Sequence, residues 1–417
     1  MPQLPPLKTT GTAKVLLWLL GIVLTIRISS YMTFFPDSIT MTRIFKIGLR
    51  FTMTGLCMFF LLRFRRYQPT KKLHMMRSLP MGFYLLYLFM GIASVFWTTN
   101  VPYTLLQWAM TFENFVFSVF FYQCILFYDE AYRPNDPSMP ILLAMSIFVT
   151  AIFFVHGCFM DPDTYMRKTH GGDVARLGGF IINPNELGML MAVGVTCIGY
   201  EWLNRGVGFI NILAFLTCTF VLLMTQSRSS LGAYLLIIGL FVIKSRYYWL
   251  KFGAVAGAFF ALPVLFQTVI LKQGNWEEVA SMTGRMPFWK DLLTYGFPER
   301  PIIGYGFMSI SQNSFTDKFD SIHAYAASMT HNTFIQVLIN LGLVGATICL
   351  LQMAFTIHAI STTKNSALQW LAATMLIPLI INSLTEFGIF GETNHGILFY
   401  VFIILFFTYS VKTVKRV

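Results

Sequence analysis

The sequence predicts an all-α polytopic membrane protein with about 12 transmembrane helices, and three observations carry that expectation. Of its 417 residues 56% are hydrophobic and only 12% charged, against about 25% charged in a soluble globular domain. Apolar runs close to the roughly 20 residues that a bilayer requires recur along nearly the whole chain. Basic residues gather on alternate connections between those runs, the pattern of the positive-inside rule. The chain has no repeat of fixed period, no low-complexity tract and no correspondence between halves of the kind many transporters show. Residues 1–417 therefore read as a single integral membrane domain.

In chain order the spans fall at 13–33, 43–62, 79–97, 104–128, 140–158, 185–203, 208–226, 229–244, 250–271, 332–357, 366–385 and 396–411. The first run lacks a small-residue cleavage site and more spans follow it, so it reads as a helix and not as a cleaved signal peptide. With the N-terminus on the inner side, the inner connections hold 17 of the 30 basic residues against four acids, six of the 17 lying between positions 63 and 77. The inner side then carries +13 and the remainder −1. The formal net charge of +12 is thus topology with anionic-lipid contact, not the footprint of a nucleic-acid-binding surface. Six cysteines lie mostly within apolar runs, without CxxC spacing or paired histidines, and read as small buried hydrophobes.

Two outer connections are long. One covers 159–183 (FMDPDTYMRKTHGGDVARLGGFIIN). The other, 272–331, is the only run of about sixty residues not given over to apolar helix. It opens KQGNWEEVASMTGRMPFW, passes through the glycine turn GYGF at 304–307, and holds two of the seven histidines, His323 and His331.

Four outer-side residues are candidates for chemistry, and each has a purely structural alternative. Arg176 precedes Asn183-Pro184-Asn185, a helix start in which Asn183 or Asn185 caps, Pro184 takes the first turn and Glu186 sits near the positive end. Arg176 is either an interfacial neighbour of that cap or part of a site. Arg228 lies in TQSRSS between two apolar runs, where a charge costs a few kcal/mol unless water, a partner or a cavity receives it. It either snorkels to the interface or, with Ser227, Ser229 and Ser230, offers donors to phosphate oxygens. Arg285 opens GRMPFWKDLL, whose Phe288, Trp289, Leu292 and Leu293 have helical spacing. A short amphipathic helix at the membrane surface is expected there. Arg285 is then an exposed surface arginine, or it joins the N-terminal amides to hold a diphosphate. His331 follows Thr330, read as an N-cap, which places it in the first turn of the re-entering helix on one face with Phe334, Ile335 and Leu338. The positive helix end favours a neutral imidazole, which can take a proton from a sugar hydroxyl as a general base; a structural histidine is the commoner reading.

No other catalytic set stands out. GxSxG, HExxH and P-loop patterns are absent from the sequence. Asp161 and Asp163 sit in a turn setting around Pro162, and Glu277, Glu278 and Glu392 lack metal-ligand partners. Metal-independent chemistry without a cofactor is the economical reading.

At these same positions the chain resembles the bacterial O-antigen ligase / O-antigen (exopolysaccharide) polymerase family of membrane glycosyltransferases. The likeness lies in SRSSLGA (227–233), GRMPFWKDLL (284–293) followed by PIIGYGF (301–307), HNTFIQVLINLGLVG (331–345) and RLGGFIINPNELG (176–188). It covers about the C-terminal 60% of the chain; the first five spans match only in being hydrophobic. The resemblance implies a GT-C-like fold in the bacterial inner membrane, with both termini cytoplasmic, a long helical periplasmic loop at 272–331 and a shorter one at 159–183. It implies inverting, metal-independent transfer of a glycan from an undecaprenyl diphosphate-linked donor to a saccharide acceptor, either lipid A–core or a growing polymer. Arg228 and Arg285 match arginines that hold the carrier diphosphate, Arg176 joins them through its NPN neighbour, and His331 matches the histidine assigned to acceptor activation. Alternatives are a protein O-oligosaccharyltransferase of the same family, a non-catalytic scaffold, and a 12-span lipid or saccharide transporter. Against the transporter stands the scarcity of mid-span charge beyond Arg50 and Glu113.

Overall fold

Polar caps punctuate the apolar runs and turn them into separate helices. In the computed structural model Asn183, Asn332, Asn365 and Asn394, with Ser78, Asn100 and Ser227, each cap a helix start through the side-chain oxygen, satisfying backbone amides that have no partner within the helix. The structure describes residues 11–67, 71–75, 78–134, 136–169, 174–246, 248–265, 267, 282, 285–311, 330–386 and 388–413. His323, Glu277 and Glu278 lie outside the described residues, as do Lys8, Arg77, Lys415 and Arg416 of the charge count.

The helices are α1 (Gly11–Ser29), α2 (Ile39–Tyr67), α3 (Leu79–Ala93), α4 (Val101–Tyr132), α5 (Met139–Met160), α6 (Pro162–Tyr165), α7 (Pro184–Arg205), α8 (Phe209–Met224), α9 (Arg228–Lys244), α10 (Tyr248–Leu265), α11 (Arg285–Asp291), α12 (Thr333–Thr362), α13 (Ser366–Thr385) and α14 (His395–Phe406). Each of the twelve expected intervals contains a helix. Among the described residues seven helices are long and apolar enough to cross a membrane: α1, α2, α3 with its extension to Phe96, α4, α5, α12 and α13. Helices α8 and α14 are apolar but shorter. The all-α expectation needs one addition, two small antiparallel ribbons. Strand β1 (Lys71–Met75) pairs with β4 (Tyr409–Thr413), and β2 (Met166–Thr169) pairs with β3 (Val174–Leu177) inside the 159–183 connection. The core runs along α14, every residue of which is buried, and along α7, which packs on α5, α8, α9, α13 and α14.

Contacts between remote connections show which helix ends lie together. At one end the Thr33 amide donates to the Ile181 carbonyl at 2.7 Å and Trp97 Nε1 donates to the Ile303 carbonyl at 3.2 Å. The same end gathers the α5–α7, α8–α9 and α13–α14 connections, as Arg176 donates to Thr225 and Asn185 to Glu386. At the other end β1 and β4 join the α2–α3 connection to the C-terminal segment, and Arg205 pairs with Asp136.

The long connection is fastened into a break in α12. Gly342 has φ 64° and ψ −164°, a region open essentially only to glycine. The break releases backbone groups that the 300–307 segment takes up. Leu343 and Val344 amides donate to Pro301 and Ile302 carbonyls at 2.8 and 3.1 Å, and Tyr305 and Gly306 amides donate to Ile339 and Asn340 at 3.2 and 2.8 Å. A Cβ at Gly342 would fall on the Ile302 carbonyl, and one at Gly304 on the Asn340 carbonyl. Gly342→Ala should therefore destabilise by at least about 1–3 kcal/mol from the backbone conformation alone, read as a lower unfolding temperature of the detergent-solubilised protein.

Helix α11 is amphipathic as expected, but its apolar side is buried in protein. Phe288, Trp289 and Leu292 form a small core with Tyr305, Ile310 and Ile339, while Met286, Leu293 and Tyr295 remain exposed. Trp289 Nε1 donates to the Thr330 carbonyl at 2.6 Å, which ties α11 to the residue before His331.

Candidate functional site

The residue that draws these connections together is Glu386, at the C-terminal end of α13. Its side chain is 4% exposed. Oε1 accepts from Arg285 at 2.8 Å and from Asn185 Nδ2 at 2.6 Å; Oε2 lies 2.6 Å from His331 Nδ1 and 3.4 Å from Asn183 Nδ2. Arg285 also donates to the Thr385 carbonyl. Thr333 Oγ1 donates to the Glu386 carbonyl at 3.3 Å, and Asn332 Nδ2 to the Leu384 carbonyl at 3.1 Å. The start of α12 is thus sewn to the end of α13, with the carboxylate held among cations and amides.

Burial alone would raise the Glu386 carboxyl; His331 and Arg285 outweigh it and hold it down to about 2. The sign follows from linkage: a depressed carboxyl stabilises the fold above the ordinary carboxylate range, and that stability is lost as pH falls through it toward about 2. Near neutrality Glu386 is ionised and can only accept hydrogen bonds. The hydrogen between Glu386 and His331 therefore sits on Nδ1, which leaves Nε2 as the ring nitrogen turned away from the carboxylate.

His331 reaches this position in a different way from the expected one. The N-cap of α12 is Asn332, whose Oδ1 accepts from the Phe334 and Ile335 amides at 3.0 and 3.1 Å. Thr330 instead spends its hydroxyl on the local turn, donating to the Asn332 carbonyl at 3.1 Å. His331 consequently lies before the helix, at φ 45°, and shares no helical face with Phe334, Ile335 and Leu338. Its partner is a carboxylate, not the helix end.

Arg176 enters from β3, opposite Arg167 in the β2–β3 register. Its Nε donates to the Thr225 carbonyl at 2.9 Å and its Nη2 to Asn185 Oδ1 at 2.6 Å. Asn185 so links Arg176 to Glu386, and Asn183 caps α7 with Pro184 in its first turn, as the sequence suggested. Burial above all, and then the charges of Arg167, Arg285 and Arg228, lower the Arg176 guanidinium to about 10 against the opposing pull of Glu386. Arg228 opens α9, whose cap is Ser227.

Arg167, Arg176, Arg285, His331, Glu386 and Lys46 line one cavity of about 500 Å³. Three of the four sequence candidates, Arg176, Arg285 and His331, come together there. Arg228 stands outside the lining, near enough for its charge to bear on Arg176. Glu386, Asn185 and Arg167 were missed. The signal for Glu386 was an acid at the immediate end of an apolar span, in EFGIFGETNH.

Residues 213–350, about a third of the chain, match the family model described as O-antigen ligase. That stretch contains Arg228, Arg285 and His331 and excludes Arg176 and Glu386. No curated protein matches the chain.

Proposed function

We propose that this chain is a bacterial multi-pass membrane protein of the O-antigen ligase kind, which transfers a glycan from an undecaprenyl diphosphate-linked donor to a saccharide acceptor at the periplasmic face. The likeness of residues 213–350 to the O-antigen ligase model and the seven long apolar helices among the described residues support this reading. The acceptor is lipid A–core or a growing polymer. One observation supports this reading above others: Arg176, Arg285 and His331 converge through Glu386 on a single cavity. Arg167, Arg176, Arg285 and Lys46 line it against two carboxylates, Glu186 and Glu386, so an arriving diphosphate finds excess positive charge. The basic connections at the opposite helix ends support twelve crossings with that cavity outside.

In the reaction Arg285, Arg176 and Arg228 bear on the donor diphosphate and stabilise the charge that it gathers as it leaves. His331 Nε2 takes the proton of the acceptor hydroxyl while its oxygen attacks the anomeric carbon. The new C–O bond forms as the bond to the diphosphate oxygen breaks on the opposite face, so the anomeric centre inverts. Glu386 fixes the tautomer and orientation of the imidazole and stabilises the imidazolium that forms, as the carboxylate does in hydrolase triads.

Glycan profiling of a deletion strain tests the proposal. Loss of capped lipid A–core with accumulation of free polymer identifies a ligase, and single-repeat products identify a polymerase. Loss of exopolysaccharide with intact lipopolysaccharide identifies an exopolysaccharide system. Unchanged surface glycans would defeat all three. Since guanidinium groups take the place of a divalent cation in this scheme, transfer by the purified protein should persist undiminished in excess EDTA. A loss restored by added magnesium or manganese would overturn the metal-independent reading.

A further inference from the structure

A second space shares a wall with the arginine-lined cavity. It is a half-open groove of about 630 Å³ between the first half of α2 and the start of α4, with the 392–394 connection beneath. Tyr31, Thr33, Lys46, Asn183, Glu186 and Glu386 border both spaces, so the groove leads to the carboxylate that holds His331. Helix α2 presents Arg43, Lys46 and Arg50 to it, at intervals of three and four residues that stack them on one face. Exposure falls along this ladder: Arg43 is exposed, Lys46 half-buried and Arg50 only 6% exposed.

Arg50 is the informative member. Its guanidinium lies 4.4 Å from the centroid of the Tyr31 ring. Its Nε is buried without a hydrogen-bond partner, and among the described residues no ion pair includes it. Arg27, still more deeply buried, shows the contrast: Glu113 receives it bidentately at 2.8 Å and Asn114 at 2.9 Å. A buried guanidinium without a counter-charge is unfavourable. The carboxylates bordering the groove do not supply one in full. Glu186 is 2.6 Å from His395, and Glu386 is engaged by His331 and Arg285. Glu392 remains, and among the described residues no hydrogen bond or ion pair joins it to Arg50. Across from the cations α4 brings Tyr103 and Gln107, a ring and an amide that suit a sugar.

We propose that this groove is the acceptor subsite and that it takes a phosphate-bearing saccharide, with Arg50 and Lys46 on the phosphate and Arg43 at the mouth. The assignment rests on the transferase reading, in which the donor diphosphate occupies the neighbouring cavity. A guanidinium can receive two phosphate oxygens side by side and an ammonium supplies a point charge. The two anionic substrates then meet from opposite sides of the His331–Glu386 pair. A phospholipid headgroup offers the same phosphate chemistry, so the test separates the two.

The full chain in nanodiscs of zwitterionic lipid is titrated with a diglucosamine glycolipid bearing two phosphate monoesters, its dephosphorylated counterpart, phosphatidylglycerol and undecaprenyl diphosphate. The bisphosphate should bind at least about tenfold more tightly than the dephosphorylated form, since each charged contact is worth about that factor or more. Arg50→Gln should remove about tenfold of that affinity and leave undecaprenyl diphosphate binding within about twofold, which also reports an intact fold. Arg43→Gln, at an exposed position, carries the test if Arg50→Gln does not fold. Arg285→Gln should show the reverse pattern. Equal binding of the dephosphorylated glycolipid, indifference to both α2 substitutions, or equally effective competition by phosphatidylglycerol overturns the assignment, the last giving the groove to a phospholipid. Undecaprenyl diphosphate binding that survives Arg285→Gln overturns the donor reading alone.

Discussion

Glu386→Gln is expected to lower glycan transfer by about 10²–10⁴-fold, the range typical of losing general acid–base assistance, while the protein still inserts and folds. The substitution keeps the shape of the side chain and removes its charge. The carboxylate now accepts from Arg285 and Asn185 on one oxygen and meets His331 and Asn183 on the other. A glutamine amide must turn an NH₂ group toward one of those donor sets. If it faces His331, Nδ1 becomes an acceptor and the hydrogen moves to Nε2, the nitrogen that has to be basic. If it faces Arg285 and Asn185, the guanidinium loses its counter-charge and shifts. Both outcomes damage the site without emptying it. Transfer from an undecaprenyl diphosphate-linked donor by the purified variant is the measurement, and a rate within about threefold of the parent would remove Glu386 from the mechanism. Because the Glu386 carboxyl is held at about 2, it stays charged throughout pH 5 to 8. An acid-side loss of activity in that range has to come from another group.

Much of this fold was legible because hydropathy and helix caps are local properties. The twelve apolar intervals and the Asn183 cap depend on neighbours in the sequence, and the structure places a helix in each interval. The hub at Glu386 is not local. Its partners lie 55 residues away at His331, 101 at Arg285 and 201 at Asn185, distances at which composition and periodicity carry no information. The same limit hid Arg27, whose charge vanished into an apolar run until Glu113, 86 residues on, was seen to receive it. The misread cap before α12 has a different origin. Threonine and asparagine both cap helices, and the competition between Thr330 and Asn332 is decided by which side chain reaches two amides at once. Asn332 does so. That choice expels His331 into a left-handed backbone conformation and turns a helix-end histidine into half of a carboxylate–imidazole pair.

His331 is where the second large effect is expected. Removal of the imidazole should lower the rate of transfer by about 10²–10⁴-fold and leave undecaprenyl diphosphate binding nearly unchanged. The choice of substitution matters, since residue 331 has φ 45°. Alanine pays a backbone strain there that asparagine largely avoids, because asparagine populates the left-handed region several-fold more often than most residues. His331→Asn also keeps a donor that can face Glu386, so the links from Glu386 to Arg285 and Asn185 should survive. A loss seen in His331→Ala but not in His331→Asn would point to local strain, and the base assignment would fall. Equal losses in both variants, with donor binding kept, separate the chemistry of the imidazole from its structural place. Near-normal transfer by a well-inserted His331→Ala protein is the plainest contrary result. Proton removal would then have to be carried by a group other than the imidazole.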